Sequence, residues 1–187
     1  MKRLFLFVSC LVLVLAVPAR AQEQAPPMGA RPAAAQPPGP AVGSVVPLFE
    51  MVKGYIIAAA EQMPEEKYSY RPNAEVRTFG QIVGHVAMTQ YWFCNGATGQ
   101  GQEPGNYEEL PTKAEMVQAI KAAFEYCAGA YAMNDARAME EVELWGETGT
   151  RLWVLNYNMA HAWEHYGNLV TYMRANDMVP PSSQGGM

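Results

Sequence analysis

The chain has 187 residues, half of them hydrophobic, 17 % charged, with a formal net charge of −5. Three of its 13 basic residues, Lys2, Arg3 and Arg20, lie in the first 21 positions, which leaves 10 basic against 18 acidic residues beyond them, a net −8. No Lys/Arg cluster occurs in that remainder, which excludes nucleic acid as a partner, since such binding rests on phosphate neutralisation.

Residues 1–21 read as a secretory signal. Lys2 and Arg3 form the charged start, Leu4 to Val17 the apolar run and Ala19-Arg20-Ala21 a small-x-small cleavage site. The run is short for a membrane span and Pro18 breaks it, so no stable span is expected after cleavage and the protein is expected to be secreted or periplasmic. Residues 22–43 are rich in Pro, Ala, Gly and Gln and read as a disordered linker. Residues 182–187 read as a flexible tail. What remains, 44–181, is enough for one domain with one core.

The first helix is expected from Ser44, as N-cap, to Met63, with Val46, Phe49, Val52, Ile56 and Ala60 as its apolar stripe. Pro64 ends it. A polar connector follows, carrying Tyr68 and Tyr70. Thr78 and Gln81 form a capping box that opens a second helix, which stops near Gly96 or Gly99. Gln81, His85 and Thr89 lie one turn apart on it, a polar stripe on an apolar helix. A Gly-rich connector leads to a third helix from Thr112 to about Asn134, whose apolar face has no polar interruption. The segment 135–149 is acidic and ends in a Gly-rich turn, with no strand pattern. The fourth helix starts after Thr150 and ends near Asn176. On its wheel Asn158, His161, His165, Asn168 and Tyr172 share a narrow arc. Polar groups on one arc of a buried helix are costly unless they are hydrogen-bonded or bind something. Four helices make an all-α four-helix bundle. Connectors of this length allow at least one long crossover.

His161 and His165 are four apart, one turn, and present both imidazoles on one face. His85, the remaining histidine, could supply a third nitrogen from a facing helix. Three neutral imidazoles with open positions make a reactive site and not a closed structural one. Imidazole suits zinc, nickel, copper and iron alike. The competing reading is a hydrogen-bonded histidine core without metal. His161-Ala162-Trp163-Glu164-His165 also matches the inverted zinc-protease pattern, but Asp177 is the sole acid downstream and Glu164 points to another face. Cys94 and Cys127 could pair in an oxidising compartment, or could be buried small apolar residues, one on each of two helices; the second reading is favoured here.

The stretches Met63-Pro64-Glu65-Glu66-Lys67-Tyr68-Ser69-Tyr70-Arg71-Pro72, Arg77-Thr78-Phe79-Gly80-Gln81-Ile82-Val83-Gly84-His85 and His161-Ala162-Trp163-Glu164-His165-Tyr166-Gly167-Asn168, with Pro180-Pro181-Ser182, resemble the DinB-like family. The resemblance runs through nearly all of 44–183. It implies a bundle of up-down-down-up topology whose metal histidines fall on His85, His161 and His165. It also implies a divalent metal cofactor, zinc or nickel first, and a small-molecule substrate. Position 168 is Asn where the family usually has Gln. Relatives with a known reaction are mostly cytoplasmic enzymes that use low-molecular-weight thiols, which an exported protein would seldom meet. The expected function is a metal-dependent hydrolase or thiol-dependent transferase, with Gln81, Asn158 and Asn168 orienting ligands or substrate. The alternative is a non-catalytic secreted helical module or small-ligand-binding protein, with structural histidines and room for a homodimer.

Overall fold

Each of the four apolar stripes becomes a long helix. The computed structural model describes residues 37–185. The expected signal, most of the linker and the last two residues of the tail lie outside the described residues. Helices α1 (Pro40–Gln62), α2 (Phe79–Thr98), α3 (Lys113–Ala128) and α5 (Arg151–Arg174) are joined by loops, a short α4 (Asp135–Ala138) and a hairpin of β1 (Glu141–Leu144) and β2 (Glu147–Thr150).

Helix α1 begins four residues before the expected Ser44 cap, so residues 40–43 belong to the fold and not to the linker. Pro40 occupies the first turn, where its missing N–H costs nothing. The cap comes from far away in sequence: Ala41 and Val42 donate their N–H groups to the two carboxylate oxygens of Asp135, each at 2.9 Å. A carboxylate there satisfies orphan donors and complements the helix dipole. Gly39 makes the approach possible, because a Cβ at that position would lie 2.5 Å from the Asp135 carboxyl carbon. Val42 is fully buried as a result.

Helix α2 opens with the expected capping box: Gln81 N–H donates to Thr78 Oγ1 at 3.2 Å and Thr78 N–H to Gln81 Oε1 at 2.9 Å. It ends on Gly99, left-handed at φ 70°. Helix α3 stops at Ala128, earlier than expected, and a tight turn at Ala130–Ala132 follows. That turn lets Tyr131 stack on Phe49 (3.9 Å between centroids) and donate its hydroxyl to the Leu155 carbonyl at 2.7 Å.

The acidic segment is also not a plain connector. Its hairpin turns on Trp145 (φ 53°) and Gly146 (φ 84°), the left-handed pair a two-residue hairpin requires. Tryptophan is a poor residue for positive φ, so the sequence shows a Gly-rich turn but not the two short strands that it joins. Its ring is held against Phe93 (5.2 Å) and Tyr157 (5.9 Å).

In the bundle α2 packs between α3 and α5, and α1 packs on α5 and α3; α1 and α2, consecutive in sequence, scarcely touch. The connection between them therefore crosses the bundle. The end of α1 meets the start of α3 (Lys113 Nζ donates to the Glu61 carbonyl at 2.7 Å), while Phe49, early in α1, meets Phe124, late in α3, so these two run antiparallel. Helix α2 also runs antiparallel to α5: Arg77, just before α2, accepts at its carbonyl from Tyr172, and Ala97 accepts from Arg151.

The two cysteines, expected to be unpaired, form a disulfide between α2 and α3. The wheel places each on a buried face but not opposite the other. The packing brings their Cα atoms to 5.4 Å, within disulfide reach.

Candidate metal centre

The antiparallel pairing of α2 and α5 sets the site. It brings the middle of α2, with His85 and Thr89, opposite the middle of α5, with His161 and His165. The three ring centroids are 5.3 Å (85–161), 4.8 Å (85–165) and 4.4 Å (161–165) apart. One nitrogen from each ring lies within 4.8 Å of the others, an arrangement that could hold a metal ion.

Each ring is also held from behind. His85 Nδ1–H donates to Glu108 Oε1 at 3.0 Å. His161 Nδ1 faces Thr89 Oγ1 at 3.5 Å, whose own hydroxyl is spent on the Val86 carbonyl at 3.0 Å. The Asn168 amide donates from Nδ2 to His165 Nδ1 at 3.4 Å. That leaves the His165 proton on Nε2, which donates to His161 Nε2 at 3.1 Å. Two imidazole nitrogens so close must share a proton or a cation.

The donor set fits a divalent ion with one adjustment. His85 and His161 already keep Nδ1 for their partners and Nε2 for the cluster. His165 would move its proton to Nδ1, and Asn168 would turn its amide to accept it through Oδ1. The Asn168 side chain is exposed and makes no other hydrogen bond among the described residues, so the turn is unopposed. Outer partners of this kind fix tautomer and ring orientation in histidine metal sites.

Electrostatics keep all three rings neutral. Burial, then the neighbouring His165 and His85, hold His161 down at about 4; Glu164 opposes them and Arg77 adds least. Burial, then His85 and Arg77, hold His165 at about 4, opposed by Glu108. Burial and Arg77 lower His85 as well, while Glu108 pulls the other way. Neutral imidazoles offer lone pairs at neutral pH, as metal ligation requires.

Glu108 has no place in any helical pattern. It lies on a one-turn segment, Tyr107–Glu109, that crosses the face of α2. The crossing depends on Gly84, next to His85: a Cβ there would lie 2.3 Å from the Tyr107 carbonyl oxygen and 2.7 Å from the Glu108 nitrogen. A glycine inside an apolar helix beside a histidine was the available signal.

Two other expected site residues are elsewhere. Gln81 spends its side chain on the capping box and lines a separate cleft with Tyr68, Thr78 and Lys113. Asn158 is fully buried against the disulfide, donating to Gln90 Oε1 at 3.1 Å and lying 2.9 Å from Cys127 Sγ. It shares the histidine arc within about 20°, but seven residues, about 10 Å along the axis, separate it from His165. Asn168 is at the site. Glu164 is exposed and makes no hydrogen bond to the histidines.

On its outer side the cluster meets a cavity of about 510 Å³. His165 and Asn168 form its inner wall; Arg77, Glu108, Val76, Ile82, Glu75 and Tyr172 complete it.

A family model described as the DinB superfamily matches residues 48–169. No curated protein sequence matches the chain. Among solved structures, a DinB-like protein from Bacillus cereus ATCC 10987 superposes with TM-score 0.67 at 13 % identity, over 78 % of this chain and 97 % of that one. A histidine-to-alanine mutant of a mycothiol-dependent maleylpyruvate isomerase superposes with TM-score 0.58 at 14 % identity, over 68 % of this chain and 60 % of that one.

Proposed function

Since the chain belongs to the DinB superfamily, we propose that it is a metalloenzyme whose His85, His161 and His165 hold one divalent ion, zinc or nickel, beside a small-molecule cavity. The observation that carries this reading is the convergence of three neutral imidazoles, each with a hydrogen-bond partner behind it, one of which, His165, forms part of the wall of that cavity. When bound, the ion would supply Lewis acidity, lowering the pKa of a water or thiol or polarising a carbonyl.

The chain's own residues do the rest. Glu108 orients His85 and raises its basicity; Thr89 does the same for His161, and Asn168, its amide turned to accept, for His165. Phe93, its ring 5.4 Å from that of His161, closes the inner side against water. Val76 and Ile82 supply apolar wall for a substrate body, with polar groups at both ends.

Metal-dependent hydrolysis is the reaction to test first and thiol transfer the second. The isomerase that shares the fold depends on mycothiol, which supports thiol chemistry. Residues 1–21 support export, and the Cys94–Cys127 disulfide fits an oxidising compartment, where reduced small thiols are scarce. The test is a screen of ester, amide and thiol-transfer substrates with the zinc-loaded, nickel-loaded and chelated protein, beside His85→Ala. Turnover that needs the metal and is lost in His85→Ala supports the reading. Equal turnover with and without metal overturns it.

A further inference from the structure

We propose that the cavity beside the histidines is a carboxylate-recognition subsite, in which Arg77 selects small substrates that carry a carboxylate. The inference rests on the metal reading above and names the substrate class for that site.

Arg77 is fixed at both ends. Its backbone carbonyl accepts from the Tyr172 hydroxyl at 2.9 Å. Its Nε donates to Glu108, at 3.2 Å to Oε1 and 3.1 Å to Oε2. The two terminal amino groups make no hydrogen bond among the described residues, so four of the five guanidinium N–H donors are uncommitted. The side chain is 45 % exposed and lines the cavity. A planar fork, held from behind with its outer donors open, matches a carboxylate in two parallel hydrogen bonds.

The fork is close to the reacting end of the site. One carboxylate, Glu108, touches both His85 Nδ1 and Arg77 Nε. A short ligand can therefore place one end on the guanidinium and the other at the imidazole cluster.

The charge balance favours an anion. Three neutral imidazoles bring no negative charge to a dication. Glu108 brings one, and shares it between His85 and Arg77. Glu75 is the other acid on the wall, but it is exposed, where solvent and salt screen it.

The test uses the full protein, exported, purified without a histidine tag and loaded with zinc. Mercaptopropionate and mercaptopropanol, which share a thiol and differ in the carboxylate, are titrated calorimetrically into the wild type, Arg77→Gln and Arg77→Lys. The wild type should bind the carboxylate probe about tenfold more tightly than the alcohol, the difference one charge-assisted hydrogen-bond pair makes at a half-exposed site. Arg77→Gln should erase the preference, the two probes then binding with equal affinity, and Arg77→Lys should keep part of it. Equal binding of the two probes by the wild type overturns the inference and leaves the metal reading standing, as does a preference that survives in Arg77→Gln. Binding of neither probe while the zinc is retained overturns the inference too, and failure of the protein to hold the zinc overturns the metal reading.

Discussion

The interface between α2 and α5 holds two buried polar groups that differ in kind. On one side are His85, His161 and His165; between one and two turns along from His85 and His165 are Gln90 and Asn158, pressed against the disulfide. The second group is sealed. Both residues are fully buried, and Gln90 Nε2 and Asn158 Oδ1 have no hydrogen-bond partner among the described residues. The first group is partnered on its outer nitrogens and opens on a cavity. Buried polarity alone does not make a site. Convergence of lone pairs at an opening does, and the sealed end serves to hold the two helices in register.

Four changes would break or sharpen this contrast. The largest concerns the sealed end. Replacing both Cys94 and Cys127 by Ala removes a cross-link closing 33 residues, and should cost about 3–4 kcal/mol in denaturant unfolding. Metal content should stay the same, because no histidine touches the disulfide.

Next comes pH, at the open end. In the metal-free protein the folded-state values of His161 and His165 lie near 4, below the unfolded 6.5. Between those values the unfolded chain binds more protons, so stability is full above about 6.5 and falls as pH drops towards 4. Chelated wild type should lose on the order of 2–4 kcal/mol between pH 7 and pH 5 relative to His161→Ala/His165→Ala. Equal losses in the two would mean the rings are not held neutral.

Gly84→Ala pushes a methyl into the backbone of Tyr107 and Glu108. It should cost about 1–3 kcal/mol and weaken metal binding, whereas Gly54→Ala, with open space around it, should do neither. The smallest effect is Glu108→Gln. It keeps the shape but weakens the hydrogen bond to His85, and should lower metal affinity about tenfold with little change in the melting temperature of the metal-free protein.

Much of this was legible in the sequence. The apolar stripes, the Thr78/Gln81 capping box and the i, i+4 histidines rest on local spacing, and local spacing survives folding. What failed needed the third dimension. The helical wheel gave Asn158 the angle of His165 but no height, and set it with a histidine two turns away. The capping box that opened α2 had already consumed the Gln81 amide. The Asp135 cap on α1 and the Glu108 partner of His85 come from 94 and 23 residues away, and the Cys94–Cys127 pairing depends on which helices adjoin. The Gly-rich turn after the acidic segment was read, but not the strand pair it joins, because one of its two central residues is a tryptophan at positive φ.

The measurement that bears most directly on the account is metal content by elemental mass spectrometry. The wild type, exported and purified without a histidine tag, is compared with His161→Ala/His165→Ala. The account predicts close to one equivalent of zinc or nickel in the wild type and none in the variant. No metal in either after reloading, or equal metal in both, would contradict it and leave the three histidines as a hydrogen-bonded core.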